Sequence, residues 1–200
     1  MNSRKFTRSV AACSVLFLAA GAQHAQAQGQ ALTPELQSVR KLLDKYNDPV
    51  VAVHDGFYST LGCISYPNGG GEGAMKYPPG TMGVHFINMG NIGPTLDPAK
   101  PQVLIYEPAG DKLRLVAAEW FVPTELTGGK APSIFGQELG GPMEGHRPLM
   151  PEGLHHYDLH VWLWKNNPGG VFSPTNPAVK CPSTGYSFTE AAPKMVPGHK

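Results

Sequence analysis

Residues 155–165, HHYDLHVWLWK, alternate strictly enough to decide what kind of fold this chain can adopt. Side chains in an extended strand alternate between faces, so Tyr157, Leu159, Val161 and Leu163 fall on one side. His156, Asp158, His160, Trp162 and Trp164 fall on the other. The run is rich in aromatic and β-prone residues, and a strand with one wholly apolar face must bury that face in a sheet. Composition agrees: 24 glycines and 20 prolines among 200 residues, with only 16% charged, favour strands joined by structured turns over long solvated helices. Forty-one per cent hydrophobic content at this length suits one compact domain.

Upstream, Thr33-Pro34-Glu35 is a helix start, and Leu36, Val39, Leu42, Leu43 and Tyr46 form an apolar stripe behind it. Asp48-Pro49 restarts the pattern for a short helix over residues 49–55 that ends at Gly56. Residues 66–73 read as a flexible glycine-rich loop, and the lysine and hydroxyl of a phosphate-binding loop are missing from it. Three strands are expected over residues 81–88, 102–107 and 113–122, the last two as a hairpin. Strict alternation puts Leu113, Leu115, Ala117, Glu119 and Phe121 on one face, which gives Glu119 an apolar neighbourhood. Residues 123–153 read as a long connection, of the kind that usually serves as a functional cover. The expected class is therefore α+β: N-terminal helices packed on a curled antiparallel sheet, with barrel-like closure as an option.

The first 27 residues read as a secretory signal: Arg4, Lys5 and Arg8, an apolar run over residues 10–20, then Ala25-Gln26-Ala27. Cys13 precedes most of that run and is read as part of the discarded signal, not as a lipoprotein cysteine. No later stretch is long and apolar enough to span a bilayer. Removing the signal takes away three basic and no acidic residues, so the formal charge falls from +1 to about −2, and no basic patch for nucleic acid remains. A single globular domain over residues 28–181 and a flexible tail over residues 182–200 complete the division. Cys63 and Cys181 are the cysteines left, and in an exported chain they most simply form one disulfide. A reactive thiol or a metal thiolate is the rival reading.

The segments MGVHFIN, LDPAKPQVLIYEP, LRLVAAEWFV, SIFGQ and LHVWLWKNNPGGVFSPTNPAVKC together resemble an uncharacterised family of secreted bacterial proteins. The resemblance runs over about residues 46–181 and implies the domain boundaries and the disulfide; it implies no activity, substrate or metal. The His155-His156 pair and the longer tail depart from the family pattern.

His85, Glu119 and His160 each fall near the middle of an expected strand. Imidazole and carboxylate held on rigid strands suit a divalent transition metal, Zn, Cu, Fe or Ni. Glu107 and Asp158 are the candidates for a catalytic base, and Asp158 also for a carboxylate that orients a ligating ring. The bland alternative is a set of half-buried histidines hydrogen-bonded to Glu119 or to backbone. His155 and His156 are weaker metal candidates at what reads as an exposed strand start. Met143, His146 and Met150 form a copper-like Met/His set in the long connection. Trp120, Phe121, Trp162 and Trp164 line an apolar ligand pocket or simply fill the core. No GxSxG elbow is present, so serine hydrolase chemistry is not expected.

Three functions follow: a periplasmic or secreted binder of a divalent metal or small-molecule ligand, a metal-dependent hydrolase, lyase or oxygenase using the same site, or a structural envelope protein without a site. The sequence is silent on oligomeric state.

Overall fold

The computed structural model describes residues 31–59, 62–72, 75–145, 153–182 and 187–189. The expected signal and Cys13 lie outside the described residues. Thr33 caps helix α1 (Pro34–Leu43) by accepting from the Leu36 N–H at 3.2 Å, with Pro34 at the first helical position. A 3-10 turn over Asp44–Asn47 leads into α2 (Pro49–His54), capped by Asp48 through the Val50 N–H at 2.9 Å. Of the apolar stripe, Leu36, Val39, Leu43 and Tyr46 are buried, whereas Leu42 stays 54% exposed. No helix among the described residues is long and apolar enough to cross a membrane.

The rest is β-structure. In chain order the strands are β1 (Tyr58–Ser59), β2 (Cys63–Tyr66), β3 (Gly70–Glu72), β4 (Met75–Tyr77) and β5 (Gly80–Ile87), followed by β6 (Val103–Ala109) and β7 (Lys112–Pro123). Then come β8 (Ser133–Ile134), β9 (Gln137–Glu138), β10 (Gly140–Met143), β11 (His156–Val161) and β12 (Ser187–Thr189). The main sheet runs β10-β11-β7-β6-β5-β2-β12, with β1 also on β5. Every pairing in it is antiparallel except β12 on β2. The path ends at β10 and β12, so among the described residues the sheet is open and the barrel-like closure is not found.

One face of the sheet carries Val84, Phe86, Leu104, Tyr106, Ala118, Trp120, Val122, Tyr157, Leu159 and Val161, in one buried cluster with Leu36, Val39 and Leu43 of α1. The Tyr106 hydroxyl ties this layer together by donating to the Tyr46 carbonyl at 2.7 Å, and its burial raises its pKa. The other face carries Ile87, Val103, Ile105, Ala117, Phe121 and Trp162. The candidate ligands belong to this second face.

Other expectations change as well. The register slips between Ile105 and Tyr106, with Ala117 opposite the first and Leu115 opposite the second, so Val116 is an extra residue. That bulge flips the alternation: Leu113 and Leu115 join the helix-side cluster, and Ala117, Glu119 and Phe121 keep the other face. The loop expected over residues 66–73 contains β3, which pairs with β4 as a small antiparallel ribbon. The long connection after Pro123 contains the β8–β9 hairpin and β10, which extends the sheet beside β11. Beyond Pro182, where no element is expected, β12 adds a parallel strand to β2; the other tail residues after Pro182 lie outside the described residues.

Cys63 and Cys181 are disulfide-bonded across 118 residues, with Cα atoms 5.6 Å apart. The bond joins β2 to the segment that follows β11 and rules out the free-thiol and thiolate readings.

Candidate metal centre

β11 lies antiparallel to β7 with His160 directly opposite Glu119 and Asp158 opposite Phe121. One strand further, Val103 of β6 faces Glu119, and Ile105 faces His85 of β5. His85 and Glu119 are thus separated by β6, and their side chains meet above the Val103–Ile105 surface. Two imidazoles and a carboxylate on three different strands converge in this way on a single point.

His85 Nε2 and His160 Nε2 each lie 3.5 Å from Glu119 Oε2. The three donor atoms sit within 4.8 Å of one another, and all three residues are buried, at 4%, 2% and 2% exposure. Bonds of about 2.0–2.1 Å to a tetrahedral ion place donor atoms roughly 3.3–3.4 Å apart, close to both of these separations. The two rings stand edge to face, with centroids 6.1 Å apart.

The other nitrogen of His85 fixes how the ring is turned. His85 Nδ1 lies 3.2 Å from the Gly83 carbonyl, which only accepts, so Nδ1 carries the proton and donates. With Nδ1 engaged in this way, His85 turns Nε2 towards the Glu119 carboxylate, and a proton or a cation between the two holds them together. Gly83 makes this carbonyl available: its φ is +110°, and a Cβ there would come within 2.6 Å of the Tyr106 carbonyl oxygen. The register also shifts at Gly83, where β5 passes from pairing with β2 to pairing with β6.

Asp158 and His156 extend the group along β11. Asp158 Oδ2 is 3.9 Å from both His160 Nδ1 and His156 Nε2, a range for ion pairing and not for a direct hydrogen bond. Asp158 therefore stands where a carboxylate orients a ligating ring from its far side. His156 Nδ1 lies 3.2 Å from the Leu154 carbonyl, and its ring packs edge-on to Phe121. The strand start was expected to be exposed, yet His156 is fully buried, because β10 covers it through the Met143–His156 pairing.

Comparison with family models, curated proteins and solved structures returns no match. The residues themselves carry the functional argument.

Other candidates go elsewhere. Glu107 is clasped by Lys165 Nζ at 2.7 and 2.6 Å and by the Lys180 N–H at 3.0 Å, so it ties β6 to the exit segment instead of joining the histidines. His155 is half-buried ahead of β11, and its carbonyl accepts from Thr124 N–H at 2.9 Å. Met143 is buried on β10, where the Tyr77 hydroxyl lies 3.0 Å from its sulfur; His146 and Met150 lie outside the described residues. The aromatic residues do not line one pocket. Trp120 packs edge-on to Phe135 in the helix-side cluster, Trp162 joins Phe121 on the other face, and Trp164 donates to Asp44 Oδ1 at 2.6 Å. Missed entirely was Gly83, for which a glycine two residues before a strand histidine was the available signal.

Proposed function

We propose that this chain is an exported protein that holds one divalent transition-metal ion through His85, Glu119 and His160. The observation that carries the reading is the meeting of two imidazole Nε2 atoms with one carboxylate oxygen at 3.5 Å in a buried setting. A buried carboxylate strongly prefers a compensating positive charge, and a shared cation supplies it for all three groups. Two nitrogens and one oxygen suit Zn, Cu, Fe or Ni better than Mg or Ca, which favour all-oxygen shells. The N-terminal helices serve in this reading as cover for the opposite face, leaving the ligand face to the metal. Export is supported by the signal-like first 27 residues and by the disulfide, which fits an oxidising compartment.

A metal-dependent enzyme is the second reading. It is favoured by a three-residue ligand set, which leaves a coordination position for water or substrate, with Asp158 beside His160 as the residue placed to manage a proton.

The test is titration of dialysed protein with Zn²⁺ by calorimetry, paired with elemental analysis. One ion per chain is expected for the wild type and none for His160→Ala, with far-UV dichroism unchanged. Equal stoichiometry in the two proteins excludes the proposed ligand set.

A further inference from the structure

The edge of β11 opens onto a cleft of about 270 Å³. The ladder between β10 and β11 ends at the Gly140–Asp158 pair, and the chain ahead of Gly140 turns away into β9. The cleft occupies the gap this leaves, and both Asp158 and His160 form part of its wall. It therefore borders Asp158 and His160, whose Oδ2, Nδ1 and Nε2 atoms are buried behind its wall.

The wall is graded in donors and in exposure. Glu138 on β9 is exposed at the rim, and Met75 on β4 is half-buried further in. Gly140 makes room for that thioether, since a Cβ there would come within 2.6 Å of Met75 Sδ. Asp158 is 3% exposed and His160 2%. Residues carrying oxygen, sulfur, oxygen and nitrogen donors thus border one cleft, in order of decreasing exposure. Glu138 and Asp158 outnumber Lys76, the single lysine on the wall, so the cleft is net acidic towards an incoming cation.

We propose that this cleft is the loading route for a hydrated transition-metal cation, with Glu138 as the outer capture group and Asp158, on the Nδ1 side of His160, as the inner carboxylate the ion passes before it reaches Nε2 and Glu119. The inference rests on the metal-binding reading above. A hydrated ion loses water most easily in steps, each replaced by a protein donor, and a charged ion cannot cross the apolar Val103–Ile105 side of the site without such replacements. The residues that border the cleft carry such donors.

Co²⁺ is the probe, its uptake followed by visible absorption after rapid mixing and its release followed with excess chelator. Gln137→Trp narrows the cleft from an exposed hairpin position; Phe172→Ala, also on its wall, widens it. With the route as proposed, Gln137→Trp slows uptake and release roughly tenfold or more, since exchange must then wait for local opening of the rim. Phe172→Ala speeds both, and the bound Co²⁺ spectrum and stoichiometry stay as in the wild type. Glu138→Lys slows uptake alone, and the more so at low salt. Wild-type protein that binds Co²⁺ with rates unmoved by all three substitutions overturns the route and leaves the site standing. Wild-type protein that takes up no Co²⁺ overturns the metal reading and the route with it.

Discussion

At the scale of single residues, the site depends on a glycine that ligates nothing. Gly83 holds a φ of +110° that side chains rarely adopt, and its carbonyl takes the His85 Nδ1–H. Alanine there meets the Tyr106 carbonyl at 2.6 Å and Ile105 Cγ2 at 2.9 Å. Gly83→Ala is expected to destabilise the fold by about 1–3 kcal/mol from backbone strain, with steric repulsion in addition. It should also weaken metal binding, because the carbonyl that orients His85 must move. Urea unfolding and Zn²⁺ titration of the variant check the two effects; wild-type values in both would remove Gly83 from the account. A residue-by-residue reading finds His85, Glu119 and His160 because each breaks an apolar context in a strand. Gly83 escapes it, since nothing in the residue type distinguishes a bulge from a turn.

Elements were legible where alternation was uninterrupted. On β11 and just past it the apolar set Tyr157, Leu159, Val161 and Leu163 is buried in one cluster, and His156, Asp158 and His160 share the other face of the strand. On β7 the same logic fails upstream of Ala117, because Val116 adds one residue without any compositional mark and reverses every side chain before it. Glu119 lies past the bulge, which is why its orientation survives. β10, Gly140–Met143, reads as a loop because glycine and proline dominate it; as an edge strand, it tolerates them. Its presence turns His156 from a surface residue into a buried one. The strand expected to reach Lys165 stops at Val161, after which Trp162 N–H donates to the Val171 carbonyl and Trp164 N–H to Val116.

Across the whole molecule, an open sheet holds a buried polar group on the face opposite α1, and one covalent tie spans most of the chain. The Cys63–Cys181 bond encloses 118 residues of sequence separation and clamps β2 to the exit from β11. Closing a loop of that size is worth about 4–5 kcal/mol in the chain-entropy model, with measured losses for native bridges of about 2–5 kcal/mol. Cys63→Ser with Cys181→Ser is expected to lower unfolding free energy by that amount in a denaturant titration. A change within error of zero would show that the unfolded chain is already restrained by other means. The pairing was legible from two cysteines in an export-like sequence. The order of the strands was not, since β10 and β12 join the sheet through backbone pairing that leaves little trace in side-chain pattern.

The central claim is that one metal ion sits between two imidazoles and one carboxylate. X-ray absorption at the edge of the ion bound by purified protein reads that shell directly. The account predicts nitrogen and oxygen neighbours only, at about 2.0–2.1 Å, with multiple-scattering features of two histidines that fall to one in His160→Ala. Sulfur at about 2.3 Å would contradict it, as would a shell unchanged in the variant.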